Sequence, residues 1–137
     1  MKKVIVLIGL LFANSVFAQA PRGINYQGVA RDNTGAAIGQ TNIALQFKIY
    51  QGNPSLNILL YSEVHMNVLT DTFGLYSLVI GSKSGTGVGT FNTIAWSTAT
   101  CWIEVYIDPT NGTNFITPVS AQQLMSVPYA LYAETAG

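Results

Sequence analysis

The chain has 137 residues, of which 49% are hydrophobic and only 9% charged, with six basic against six acidic residues. That balance excludes a disordered segment, which needs low hydrophobicity and high charge, and it leaves no basic patch to attract nucleic acid. The single cysteine, Cys101, excludes an intramolecular disulfide, so a small domain must hold together by packing and backbone pairing.

Lys2 and Lys3 precede an apolar run over 4–12, and Val16-Phe17-Ala18 follows. A basic start, an apolar centre and an A-x-A-like end predict a signal peptide over 1–18, cut after Ala18. A cut after Ala20 is disfavoured because Pro21 would follow it. The apolar run is too short for a membrane span, so no span is expected once it is removed. The mature protein is therefore expected outside the cytoplasm, secreted or at the cell surface. It keeps four basic and six acidic residues, and its surface must be built largely from Asn, Gln, Ser, Thr and Gly.

From here the hydrophobic period is two. An opening strand is expected over 23–31, ending in the turn Asp32-Asn33-Thr34-Gly35. Over 42–50, Ile43, Leu45, Phe47 and Ile49 alternate with Asn42, Ala44, Gln46, Lys48 and Tyr50, the pattern of a half-buried strand. A loop over 51–55 leads to a longer strand over 59–69. There the polar face is expected to carry Tyr61, Glu63, His65 and Asn67, and the opposite face Leu60, Val64, Met66 and Val68, with Ser62 among them. A second turn, Thr70-Asp71-Thr72-Phe73-Gly74, precedes a short strand over 75–80. Residues 81–89 are rich in Gly, Ser and Thr and read as a loop. Residues 90–96 suit one helical turn that packs Phe91, Ile94 and Trp96 onto an open end. Over 101–108, Cys101, Ile103, Val105 and Ile107 are expected inward, and Trp102, Glu104, Tyr106 and Asp108 outward. Asn111-Gly112 signals a hairpin into 114–117, and a closing strand is expected over 122–127. Pro128 then suits the first position of a short helix. The expected core is Ile43, Leu45, Phe47, Leu78, Ile80, Ile103, Val105 and Ile107. Together these elements predict an all-β antiparallel sandwich of about seven strands over 19–127, followed by a C-terminal segment, 128–137.

Four segments carry a family resemblance: 23–35 (GINYQGVARDNTG), 61–65 (YSEVH), 73–81 (FGLYSLVIG) and 123–136 (QLMSVPYALYAETA). In order, they span nearly all of the mature chain, and the last is the most specific. The chain resembles the N-terminal β-sandwich module of secreted tail-fibre-like surface proteins of Bacteroidetes, which carry collagen-like stalks or an endosialidase-type chaperone region. That resemblance implies a non-catalytic module with a structural or adhesive role, and it implies no catalytic residues. This chain stops at Gly137, directly after the closing motif, where the family continues into a stalk. The layout of Asp32-Asn33-Thr34-Gly35 after a strand, then Phe73-Gly74-Leu75-Tyr76, is also similar to transthyretin-like Greek-key sandwiches.

The candidate chemistry is sparse. There is one histidine, His65, and no G-x-S-x-G. A Cys101–His65 nucleophilic pair is set against a buried, inert thiol on an inward strand face, which is the expected reading. Glu63 and His65 lack a third ligand for a metal and read as a polar pair on a solvated face. Residues 81–89 lack G-x-x-x-x-G-K-[ST], so no phosphate loop is expected. Asn111-Gly112-Thr113 spells a glycosylation acceptor but is more simply a turn. No cofactor, metal or enzyme activity is expected. Trp102, Glu104 and Tyr106 interleave aromatics with a carboxylate and form the candidate contact for a surface glycan or a protein partner. Tyr129, Leu131 and Tyr132 lie on a tail that a closed sandwich cannot fully bury. They are expected to form a junction through which copies of the chain self-associate or continue into a stalk.

Overall fold

The computed structural model describes residues 23–83 and 87–125. The expected signal peptide over 1–18 and the junction over 128–137, with Tyr129, Leu131 and Tyr132, lie outside the described residues.

Six strands form among these residues: β1 (Ile24–Val29), β2 (Asn42–Gln51), β3 (Leu59–Leu69), β4 (Leu75–Ile80), β5 (Cys101–Asp108) and β6 (Pro118–Gln123). Every pairing is antiparallel. One sheet pairs β1 with β4; the other has the order β3-β2-β5-β6. The two sheets pack face to face as an all-β sandwich, as the alternation predicts. β2 and β5 are neighbours although β3 and β4 intervene in the chain, and β4 makes the crossing in the opposite sheet. The hairpin signal at Asn111-Gly112 does lie between paired strands, but the connection is longer than expected. β6 begins at Pro118, so 114–117 is loop, and the closing strand lies over 118–123 rather than 122–127.

The core sits between the inward faces. Ile43, Leu45, Phe47, Ile49, Ile80 and Val105 have no exposed surface, and Ile103 almost none. Leu78 and Ile107 are half-buried and pack against them. Aromatic rings pack both between and within the sheets. Tyr26 of β1 meets Phe47 of β2 edge-on at 5.1 Å and stacks on Tyr76 of β4 at 6.3 Å. The segment over 90–96 forms a single 3-10 turn, Phe91–Thr93, which seats Phe91 against Tyr61 at 5.4 Å and Trp96 against Phe91 at 5.5 Å. Phe91 and Ile94 join the core as the apolar spacing predicts, whereas Trp96 stays 43% exposed.

Three aspartates shape the turns. Asp32 Oδ1 accepts from the Thr34 and Ala36 N–H groups, and Asp71 Oδ1 from those of Phe73 and Leu75. Asp108 accepts from the Thr110 and Asn114 N–H groups. Two of these turns share the spelling D-x-x-G, and their glycines both sit at positive φ, 86° for Gly35 and 80° for Gly74. Their surroundings differ. A Cβ on Gly35 would meet nothing within 4 Å, whereas one on Gly74 would lie 2.8 Å from the Ala30 carbonyl oxygen. Gly35→Ala is therefore expected to cost only the left-handed backbone penalty, about 1–2 kcal/mol. Gly74→Ala adds a clash with fixed backbone and is expected to cost about 3 kcal/mol or more. Denaturant midpoints of the two variants check the difference; equal losses would contradict it.

Candidate functional site

β3 departs most from expectation. Tyr61, Glu63 and His65 do not face solvent. They are 2%, 0% and 5% exposed, while Met66, from the face expected inside, is 43% exposed. The reason is register. Tyr61 pairs with Ile49, Glu63 with Phe47 and His65 with Leu45, and paired residues project to the same side of a sheet. The inward face of β2 therefore carries these three side chains into the core with it. A bulge then resets the strand. Met66 and Asn67 together span the step at which β2 advances by Ala44 alone, and Asn67 takes a φ of 57°. After the bulge Val68 pairs with Ile43 and packs against the core. The hydrophobic face of β3 thus changes sides along the strand, which a strict period of two misses.

These buried polar groups form a closed set. The Tyr61 phenol donates to Glu63 Oε2, and the Gly81 N–H donates to the same oxygen at 2.9 Å. His65 Nε2 lies 2.5 Å from Glu63 Oε1. The Phe47 ring stands edge-on to the His65 imidazole at 5.7 Å. Burial alone pushes the Glu63 carboxyl up. The bonds from His65, Tyr61 and the Gly81 N–H outweigh burial, so the carboxyl sits below its ordinary value. The Tyr61 phenol is held well above its ordinary value, first by burial and then by its bond to Glu63. The Gly81 N–H thus caps a buried carboxylate, which gives the start of this loop a structural task.

The other sequence-derived candidate occupies the outer face of the larger sheet. Trp102, Glu104 and Tyr106 alternate with the inward Ile103 and Val105, as expected. They are less open than an outward face suggests. Trp102 is half-buried, while Glu104 and Tyr106 are 9% and 7% exposed. The Tyr106 phenol donates to Glu104 Oε2 at 2.7 Å, and Lys48 Nζ stands 4.5 Å from the Tyr106 ring centre. Burial first, then the Glu104 carboxylate, hold the Tyr50 and Tyr106 phenols above their ordinary values. Asp108, also expected outward, is 3% exposed because it turns into its own loop. Of the three candidate contact residues, Trp102 keeps the most reachable surface.

Cys101 and His65 are not brought together. His65 is level with Leu45 and Ile107, and Cys101 lies six residues further along β5, roughly 20 Å away by strand rise. The Cys101 thiol is 5% exposed, and burial pushes its pKa up, away from the reactive thiolate. Asn111 has a different use from the one its glycosylation spelling suggests. Its Oδ1 accepts from the Asn67 N–H at 2.8 Å, and its Nδ2 donates to Asn67 Oδ1 at 2.7 Å. This pair ties the β5–β6 loop across β2 to the bulge in β3. Among the described residues no group of three or more His, Cys, Asp or Glu is placed to hold a metal ion.

All five acidic residues in the described segments bond within the fold. Asp32, Asp71 and Asp108 hold turns, Glu63 holds Tyr61, His65 and Gly81, and Glu104 holds Tyr106. Comparison with known proteins adds a family without a described activity. No curated protein and no solved structure matches the chain. The sequence profile of one family, a domain of unknown function designated DUF8740, matches residues 25–120, and the chain belongs to that family.

Proposed function

We propose that this protein is a non-catalytic structural and interaction module of an exported, tail-fibre-like or adhesin-like surface protein. The observation that supports this reading best is the use of its carboxylates. General acid–base chemistry needs a titratable group in a cleft, within reach of a substrate. Here all five acidic side chains of the described segments are engaged in internal hydrogen bonds, and the single histidine faces a buried glutamate. Such an economy suits a domain whose task is to keep its shape outside the cell without disulfides. The four-segment resemblance and the basic, apolar N-terminus favour the same reading. Attachment to surface glycan through Trp102, Glu104 and Tyr106 ranks second, because Glu104 and Tyr106 already bond to each other.

Export is tested by sequencing the N-terminus of protein recovered from the envelope or culture fluid. The expected first residue is Gln19, free or cyclised; retention of Met1 contradicts export. The junction is tested by comparing the mature chain with a version ending at Val127, using light scattering across concentration. Weaker association of the shorter chain is expected. Identical behaviour of the two removes support for a junction at Tyr129, Leu131 and Tyr132. A glycan array on the mature chain separates the second reading from the first.

A further inference from the structure

The outer strands of the two sheets are finished differently. The edge of β3 is covered by the segment around Val88. The Ser62 N–H donates to the Val88 carbonyl, and the Val88 N–H to Ser62 Oγ, both at 2.9 Å. β6 opens with Pro118 and shifts register opposite Val105 and Tyr106. On β4, the Leu75 N–H donates to Asp71 Oδ1, the Leu75 carbonyl accepts from the Asp71 N–H, and the Val79 carbonyl accepts from Ser82 Oγ. Covers, prolines, bulges and local caps are the devices that stop a strand edge from pairing with another chain.

Among the described residues β1 has none of them. Its sequence, INYQGV, holds no proline and no charge, and its register with β4 is unbroken from Ile24–Ile80 to Val29–Leu75. The Ala30 N–H donates to the Gly74 carbonyl at 2.9 Å, which sets the phase of the ladder. By alternation, Ile24, Tyr26 and Gly28 bond to β4, while the N–H and C=O groups of Asn25, Gln27 and Val29 point to the open side. Among the described residues no hydrogen bond reaches those six groups. The side chains of the same three residues are exposed, and Val29, Leu75 and Val79 leave an apolar strip on the outer face, each about 40% exposed.

We propose that β1 is the edge at which a second copy of this chain adds to the sheet, the two β1 strands pairing antiparallel about a two-fold axis at Gln27. This pairing sets Gln27 opposite Gln27 of the partner subunit, and Asn25 opposite Val29 of the partner subunit. It gives all six open backbone groups a partner and turns two two-stranded sheets into one of four strands. The choice of a second copy over a foreign segment follows from symmetry. A two-fold axis sets the residue on it against its own duplicate, so a charge at that position repels itself. β1 is neutral, and a glutamine amide carries both donor and acceptor, so Gln27 complements its own copy. A charged peptide would find no opposite charge on β1 to choose it. The interface uses only residues of the sandwich and is independent of the junction at Tyr129, Leu131 and Tyr132.

The test is a charge swap on an exposed residue, read by light scattering and sedimentation of the mature chain. The wild type is expected to be a concentration-dependent dimer. Gln27→Lys and Gln27→Glu, each alone, are expected to weaken association by roughly tenfold or more, with unchanged circular dichroism. Mixing the two variants is expected to restore the dimer, because Lys then faces Glu across the axis. Any of three results overturns the proposal: a monomeric wild type, single variants that associate as the wild type does, or a mixture that stays monomeric. Association that survives the swap but is lost on ending the chain at Val127 assigns self-association to the C-terminal junction instead.

Discussion

Phe47→Ala is expected to destabilise the protein by about 3–5 kcal/mol, a large share of the roughly 5–15 kcal/mol that holds a small domain folded. Phe47 has no exposed surface and lies where the two sheets meet. Its ring touches Tyr26 of the opposite sheet edge-on at 5.1 Å and the His65 imidazole at 5.7 Å. Truncation removes the apolar contact between the sheets and opens a cavity beside the buried Glu63–His65 pair. A urea titration should show a lower midpoint with an unchanged slope. A loss below about 1 kcal/mol would mean that the two sheets do not depend on this contact.

Glu63→Gln should cost about 2–4 kcal/mol although it changes no shape, because three donors then face an amide with one oxygen. The Tyr61 phenol, the Gly81 N–H and His65 all point at the carboxylate. The effect is expected to depend on pH. Glu63 is held below the ordinary carboxyl value of about 4.3, so the unfolded chain takes up its proton first as pH falls. Its contribution is complete above about pH 4.3 and fades as pH falls through the folded value. The stability gap between wild type and Glu63→Gln should therefore be full at neutral pH and should shrink in acid. Thermal melts of both proteins from neutral pH down to about pH 3 measure the gap. A gap that stays constant in acid would show that Glu63 is not ionised in the folded protein.

Both predictions concern side chains paired across β2 and β3, and β3 is where sequence and structure part company. The ends of the strand are legible, because turn residues on either side and a run of extended-favouring residues are local signals. The prediction of 59–69 agrees with the strand that forms. Which face turns inward is not legible from β3 alone. Leu60, Val64, Met66 and Val68 outnumber Tyr61, Glu63 and His65 in apolar content, so hydrophobicity chooses the wrong face. The signal that would have corrected it lies on the neighbouring strand. Once Leu45, Phe47 and Ile49 are inward, an antiparallel partner in this register must send three of its side chains the same way. Asn67, a residue tolerant of positive φ, marks where the face is exchanged.

The all-β class, the main strands β2 to β5, the turns at Asp32 and Asp71 and most of the core are legible from local patterning, since each depends on neighbours within a few residues. The register between β2 and β3, the burial of Glu63 with Tyr61 and His65, the bond from Asn67 to Asn111 and, among the described residues, the unpaired outer side of β1 come from the assembled fold. Those features need two or more distant segments side by side. A polar group can enter a core only when its partners arrive with it, and no single strand specifies them.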